Sequence, residues 1–370
     1  MKNEPITYAI LYNPGHNRVY FDAAQRMSAA EFNIAAKTLS TPCETIKNQN
    51  IFGIEYLTFE TINELNISDI KVIFNLSFIY ALFKLETING ETYLKPIQNT
   101  NAYFIDESIS SMLKYTGKTN EIFTRMMINL AYYSRSRKGL SGNVPPRETD
   151  IDPATLPAPV TLLDPVAGKG TTLYEGLIKG FNVYGIEIGD AVVNESYHFI
   201  KRFLETARYK FETASIKVSG ANKSFTAQRH TFETAPTKEQ FKSKQTKTFE
   251  LIAGSAAFAN KYYRKNFFDI IVGDLPYGVQ HGNVTNEKQS SLTRSPAELL
   301  TACLPAWVDV LKPGGVMVLA WNINVLPRFQ AEKIFTANGL NVLNSEDYLN
   351  FAHRVDQAIT RDVIVCEKLC

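Results

Sequence analysis

The stretch LLDPVAGKGTTLYEGLIKGFNVYGIEI, residues 162–188, decides the fold class of this 370-residue chain. A short apolar run ends at Asp164, a glycine-rich turn follows, a helical stretch opens at Thr171, and a second apolar run ends at Glu187. Glycines let a backbone approach a ligand closely, and a helix N-terminus offers unpaired N–H groups. The stretch therefore predicts a strand–turn–helix–strand unit that binds a ligand, with Glu187 placed to hold two adjacent ribose hydroxyls.

Beyond residue 160 the sequence alternates between short apolar runs and longer helical stretches. The runs TLLD, FNVYGIEI, ELIAG, FDIIVGD and VMVLAW are typical of parallel strands buried on both faces. Helical stretches such as TTLYEGLIKG, ESYHFIKRFLETA and AELLTACLPAWVDVLK lie between them, and the alternation predicts a doubly wound α/β sheet. The last runs, LNVLNSEDYLNF and AITRDVIVCEK, predict a final hairpin that leaves one strand antiparallel.

We predict a small N-terminal α/β domain over residues 1–95, a connecting helix and linker over 96–159, and the doubly wound domain over 160–370. In the first domain ITYAILY, IFGIEYLTF and DIKVIFNL are interpreted as strands, and SAAEFNIAAKTL and SFIYALFKLE as helices. The connecting part contains the helix EIFTRMMINLAYYSRSR and a proline- and glycine-rich linker. A polar, lysine-rich insertion at about 207–249 is either a solvated surface segment or a contact to nucleic-acid phosphates.

The composition is that of an ordinary soluble globular protein, with 45% hydrophobic and 21% charged residues and a net charge of +2. The four cysteines form no CxxC pair and have no histidine cluster nearby, so we expect no metal site and a reduced, cytoplasmic setting. The N-terminal MKNEPITYAI lacks the apolar core of a signal peptide, and no run approaches membrane-spanning length, so no membrane partner is expected.

Three nucleotide-binding motifs compete for the glycine turn. A P-loop requires a glycine five positions before the Gly-Lys pair, but Leu163 and Met112 occupy those positions before the two candidate pairs. A dinucleotide fingerprint requires a third glycine at position 173, where Leu173 stands. The remaining candidate is S-adenosylmethionine, which has a ribose but no phosphate and so needs no full phosphate cradle.

A second motif, FDIIVGDLPYGVQHG at residues 268–282, ends a buried strand on a carboxylate, a proline, a tyrosine and a glycine. With this motif after DPVAGKG, the chain resembles the class I S-adenosylmethionine-dependent methyltransferases that modify exocyclic amino groups. DPVAGKG is similar to their first motif and DLPYG to their fourth. The resemblance runs from about Tyr115 to the C-terminus and is closest to the THUMP-associated tRNA guanine-N2 methyltransferases; the N-terminal part resembles their auxiliary domain only faintly.

The resemblance implies a Rossmann-like class I methyltransferase fold and a role for each residue of DLPYG. Asp274 and the carbonyl of Pro276 accept hydrogen bonds from the target amine, which draws its lone pair out of conjugation, while Tyr277 stacks on a base removed from its helix. The implied cofactor residues are Asp164, Val166, Ala167, Gly168, Gly170, Glu187, Ile188, Ser255, Ala256 and Asp274. Ser255 stands where many relatives carry an aspartate near the adenine.

The expected substrate is guanine N2 in tRNA, with nucleic acid as the partner. DNA adenine-N6 methylation is the first alternative, because the aspartate at the head of DLPYG fits both reactions. A catalytically silent S-adenosylmethionine-binding RNA chaperone is the alternative from another class, and the presence of both Asp274 and Tyr277 argues against it. The sequence does not indicate an oligomeric state.

Overall fold

The computed structural model describes residues 4–13, 18–112, 118–135, 159–220, 224–276 and 295–369. The chain forms two compact units. Within the described ranges, the first unit contains the residues up to 102 together with 344–355, and the second contains 103–343 and 356–369. The predicted boundaries did not include the contribution of residues 344–355, close to the C-terminus, to the N-terminal unit.

The first unit contains a five-stranded antiparallel sheet in the order β2-β3-β1-β4-β5. Its elements are β1 (Ile6–Tyr12), α1 (Arg18–Ala36), β2 (Cys43–Ile51), β3 (Ile54–Thr61), α2 (Ile67–Phe74), β4 (Ile79–Ile88) and β5 (Glu91–Ile97). Residues 344–355 add the short 3-10 helix Glu346–Leu349 and the two-residue strand β14 (His353–Arg354). The tail segment is fixed to α1 by hydrogen bonds from Asn33 and Lys37 to Asp347, of 3.0 and 2.7 Å.

Two predicted elements of the first unit are wrong in type. DIKVIFNL, predicted as a strand, lies mostly in helix α2, because Asn66 caps that helix by accepting from the backbone N–H of Asp69. SFIYALFKLE, predicted as a helix, lies mostly in strand β4, which pairs with β1 and β5. Both are short apolar runs, for which periodicity alone does not separate a strand from a helix.

The second unit contains helices on both sides of a long sheet. Its strands are β6 (Thr161–Asp164), β7 (Asn182–Glu187), β8 (Lys210–Ser219), β9 (Thr226–Ala235), β10 (Lys247–Ala253), β11 (Phe268–Asp274), β12 (Leu311–Asn322), β13 (Leu340–Val342) and β15 (Thr360–Lys368). Its helices are α3 (Ser108–Met112), α4 (Glu121–Tyr133), α5 (Thr171–Ile178), α6 (Asp190–Thr206), α7 (Lys238–Lys242), α8 (Ala259–Tyr262), α9 (Pro296–Val310) and α10 (Arg328–Ala337). No helix within the described ranges is both long and apolar enough to cross a membrane.

The strand order is β13-β15-β12-β11-β6-β7-β10-β9-β8. The five central strands, from β12 to β10, are parallel, and β15 runs antiparallel to β12 and β13. The predicted doubly wound sheet with an antiparallel final strand is therefore confirmed. The chain winds outward in one direction from β6 through β7 to β10 and in the other from β11 to β12, so the point of reversal lies between β6 and β11. Ligands of open α/β sheets bind beyond the carboxyl ends of the strands at such a point.

The lysine-rich insertion is more ordered than a solvated surface segment. It folds into the antiparallel hairpin β8–β9, and β9 pairs with β10 so that the hairpin extends the sheet. His230, Phe232 and Thr234 are buried at alternate positions of β9, a strand alternation with too few apolar residues to predict. Gln228 lies opposite Ala253 at the carboxyl end of β10, so the start of β9 lies at the ligand-binding edge.

Candidate active site

The carboxyl ends of β6 and β11 bring the two sequence motifs together. Asp164 ends β6, Asp274 ends β11, and these strands are hydrogen-bonded neighbours. A Cβ added at Gly273 would lie 3.3 Å from Asp164 Oδ1 and 3.2 Å from a Val166 methyl group. Gly273, the residue before DLPYG, therefore packs closely against the first motif at the point of reversal.

The glycine turn is held in place by backbone hydrogen bonds. Ala167 donates to the carbonyl of Ile186 at 2.9 Å, and Gly170 donates to the carbonyl of Ala167 at 2.8 Å. Gly168 and Gly170 have φ angles of +51° and +91°, a region that side chains other than glycine rarely adopt. A Cβ added at Gly168 would meet no atom within 4 Å, so the turn borders open space where a ligand fits.

Glu187 joins the glycine turn to the loop that follows β7. Its Oε2 accepts from Gly168 N–H at 3.1 Å and its Oε1 accepts from Gly189 N–H at 2.8 Å. Burial raises the pKa of Glu187, and the backbone hydrogen bonds of Gly189, Gly168 and Ile188 oppose that rise. Next to it the apolar side chain of Ile188 is half exposed, as a surface for a flat ring requires.

Ser255 and Ala256 follow β10 and border the next part of the same edge. The Ser255 side chain caps a 3-10 helix by accepting from Ala257 N–H, and the carbonyl of Ala256 accepts from the indole of Trp307 at 3.0 Å. The Phe258 ring, which is partly exposed, stacks on Phe225 from the start of β9, with centroids 5.3 Å apart. Sequence analysis missed this aromatic pair because its two residues come from different segments.

Asp164 lies buried among other carboxylates. Burial raises its pKa to about 7, hydrogen bonds from Thr172 and the Val166 N–H oppose the rise, and the charges of Asp274 and Glu187 add to it. Three carboxylates therefore surround one edge of the sheet, and a cationic ligand placed there would relieve their mutual repulsion.

Asp274 is held by two residues that sequence analysis did not identify. The Thr119 hydroxyl donates to its Oδ2 at 2.7 Å, and Nη2 of Arg361 lies 3.3 Å from the same oxygen. Leu275 is buried and donates its N–H to the carbonyl of Ala320 at 2.8 Å, and Pro276 is half-buried. Tyr277, the third predicted catalytic residue, lies outside the described residues.

The described part of the chain contains no group of three or more His, Cys, Asp or Glu side chains that could hold a metal ion. The thiol pKa values of Cys303 and Cys366 are raised by burial, so neither cysteine is activated as a nucleophile. The glycine turn, the Glu187 carboxylate and the half-exposed Ile188 lie together at the carboxyl ends of β6 and β7.

No family model matches the chain, and no curated protein matches it. The chain is similar to several solved structures. An rRNA methylase from Streptococcus thermophilus is 10% identical; the match covers 57% of this chain and 88% of that one, with a TM-score of 0.30. A TehB-like SAM-dependent methyltransferase from Corynebacterium glutamicum is 13% identical over 58% and 84% of the two chains, with a TM-score of 0.31. A magnesium protoporphyrin IX methyltransferase from Synechocystis, solved with bound SAM, is 11% identical over 69% and 86%, with a TM-score of 0.34. Likenesses this weak identify no family, cofactor or substrate for this chain, so the function proposed below rests on its own residues.

Proposed function

We propose that the chain is an S-adenosylmethionine-dependent methyltransferase that modifies an exocyclic amino group of a nucleobase, guanine N2 in tRNA. The observation that carries this proposal is that Asp164, at the start of the first motif, and Asp274 of DLPYG end two neighbouring strands at the reversal point of the sheet, close enough for the charge of Asp274 to raise the pKa of Asp164. A nucleoside bound at this edge would then lie beside an acceptor for an amine proton.

The residues present fit S-adenosylmethionine. Glu187 is at the tip of the second strand, where a carboxylate accepts from two adjacent ribose hydroxyls, and Ile188 offers an apolar face beside it. The carboxylates of Asp164 and Asp274 favour a cationic ligand over a neutral one. When bound, the cofactor supplies an electrophilic methyl group.

Asp274 and Pro276 would bind and orient the target amine. An exocyclic amine of a nucleobase is a poor nucleophile, because its lone pair is delocalised into the ring. An acceptor on each amine proton aligns the lone pair with the methyl donor, and this positioning accounts for most of the rate gain. Asp274 then accepts the proton that the amine loses, and Tyr277 would stack on the extruded base.

Nucleic acid is proposed as the partner because the same edge is bordered by the β8–β9 hairpin. Strand β8 carries exposed Lys217 opposite Gln228, near the start of β9, where a cation can contact a phosphate; exposed Lys210 lies opposite Ala235, at the other end of the hairpin. The first unit is proposed to hold RNA, as an auxiliary domain of the resembled family would. DNA adenine-N6 methylation stays the alternative, since Asp274 suits both amines.

Methyl transfer to different polymers tests the proposed function directly. The purified chain, supplied with cofactor labelled in its methyl group, should label total tRNA and leave total DNA and protein unlabelled. Digestion to nucleosides should place the label on guanosine N2. Labelled DNA adenine would support the alternative, and cofactor binding without transfer to any polymer would support the silent RNA chaperone.

We expect cofactor binding to release a proton from Asp164. The pKa of this residue is about 7 before binding, so at pH 6.5 it is largely protonated, and a cationic ligand favours the ionised form. Calorimetry at pH 6.5 in buffers of different ionisation enthalpy should show release of up to roughly three quarters of a proton, and little at pH 8.5. Asp164→Asn is the matched control, because any proton that the ligand itself releases is the same for the variant and the wild type. Equal proton release by the two proteins would show that the proton does not come from Asp164.

A further inference from the structure

A buried arginine and a threonine hold one oxygen of Asp274 from two directions. Arg361 Nη2 lies 3.3 Å from Oδ2, and the Thr119 hydroxyl donates to that oxygen at 2.7 Å. The side chain of Arg361 is only 5% exposed, and its guanidinium lies over the ring of Phe123 with 4.6 Å to the centroid. Two contacts that converge on one oxygen fix the rotation of the carboxylate about its side-chain bonds.

Each of the two supports is itself fixed by the fold. Asn120 caps α4 by accepting from the N–H groups of Ile122 and Phe123, which places Thr119 immediately before the helix. Arg361 is part of β15, opposite Asn322 at the end of β12, and its stacking partner Phe123 is 3% exposed. Neither group therefore needs to be ordered when substrate arrives, which is the requirement for a preorganised site.

Stability alone does not explain this ion pair. Desolvation largely offsets the attraction within a buried pair, so such pairs contribute little net stability. A guanidinium beside a carboxylate favours the charged form of that carboxylate. In the charged form both oxygens accept hydrogen bonds, whereas the protonated form carries an O–H donor.

We propose that Arg361 and Thr119 are positioning residues that keep Asp274 ionised and in one orientation. Asp274 then holds the target amine with its lone pair in line with the methyl donor and accepts the proton that the amine loses. This inference rests on the proposed function and adds two residues to it. Arg361 contributes charge and planar geometry, and Thr119 contributes a directed hydroxyl from a segment 155 residues away in sequence.

Paired substitutions at each position test the inference. Arg361→Gln and Thr119→Val should lower kcat by roughly 10- to 100-fold, because a small misplacement of a reacting group has effects of that size. The KM for tRNA and the affinity for cofactor should stay close to those of the wild type. Thr119→Ser should restore most activity, and Arg361→Lys only part of it, because lysine lacks the planar fork.

Arg328→Gln is a matched control for the loss of an arginine that pairs with a buried carboxylate. Arg328 Nη1 pairs with Asp362 Oδ2 at 2.7 Å. Asp362 follows Arg361 on β15, so the side chains of these two residues point to opposite faces of the sheet. This variant should lose stability without a change in kcat. An equal loss of kcat in Arg328→Gln and Arg361→Gln would show a general structural effect and overturn the inference.

A second measurement needs no methyl acceptor. Arg361 favours the ionised form of Asp274, so in Arg361→Gln this carboxylate should take up a proton at a higher pH than in the wild type. The preference for cationic S-adenosylmethionine over its neutral-sulfur demethylated product should therefore be lost at a higher pH in Arg361→Gln than in the wild type. If kcat and the pH dependence of this preference are both unchanged in Arg361→Gln, the inference is overturned while the proposed function stands. If the wild type binds the cofactor but transfers no methyl group, the proposed function is wrong, and the ligand preference of Arg361→Gln still tests the inference. If the wild type binds no cofactor, both are overturned.

Discussion

Replacing Asp274 with alanine should reduce methyl transfer by about 100- to 10,000-fold, the range for losing a group that handles a proton in the reaction. The target amine would lose one of its two acceptors and stay conjugated with its ring. Cofactor affinity should fall much less, because the ribose and glycine-turn contacts belong to β6 and β7. Single-turnover rates with tRNA and calorimetry with cofactor measure the two effects separately.

The same substitution also removes the carboxylate that faces the buried guanidinium of Arg361, so it requires a stability control. Breaking a buried ion pair from one side typically costs about 3–5 kcal/mol. The double variant Asp274→Ala/Arg361→Gln removes both charges and should recover much of that loss, but it should stay inactive. Near-normal turnover in either variant would remove Asp274 from the chemistry and leave a cofactor-binding protein with another substrate.

The doubly wound sheet was predictable because its signals are local. Each central strand is a short apolar run that ends on a turn or a carboxylate, and the glycine turn directly follows β6. Asp164, Glu187 and Asp274 could be located for the same reason, since the carboxyl ends of parallel strands lie at one edge. The alternation of β9 was not recognised, because its buried positions include Thr234 and His230 rather than a row of apolar residues.

Arg361 and Thr119 could not be found from sequence spacing. Their contacts with Asp274 join three distant segments, and nothing in the order of residues indicates which strand neighbours β12 on its far side. One signal was present: Arg361 and Asp362 are adjacent charges at the start of the apolar strand TRDVIVCEK. Charges on a strand buried from both faces need partners, so their presence predicts partners at the adjacent strand ends.

Glu187→Ala should weaken cofactor binding by roughly 100-fold or more, the second large effect we expect. A hydrogen bond to a charged acceptor contributes about 1.5–3 kcal/mol, and the ribose offers two donors. The substitution also releases the N–H groups of Gly168 and Gly189, which Glu187 holds at 3.1 and 2.8 Å, so the glycine turn loses a constraint on its shape. Calorimetry with S-adenosylmethionine and with its demethylated product should show similar losses, because both carry the same ribose.

Two further variants separate the ribose contact from the effect on the loop. Glu187→Gln keeps one oxygen acceptor and should retain intermediate affinity. Glu195→Gln changes a carboxylate that pairs with Lys169 of the same turn but is 59% exposed, and exposed pairs contribute little, so its affinity should equal that of the wild type. If Glu187→Ala bound both ligands as tightly as the wild type, Glu187 would not be the ribose ligand, and the nucleoside would have to bind elsewhere along the edge. Losses of equal size in Glu195→Gln would instead indicate that the glycine turn responds to any nearby change in charge.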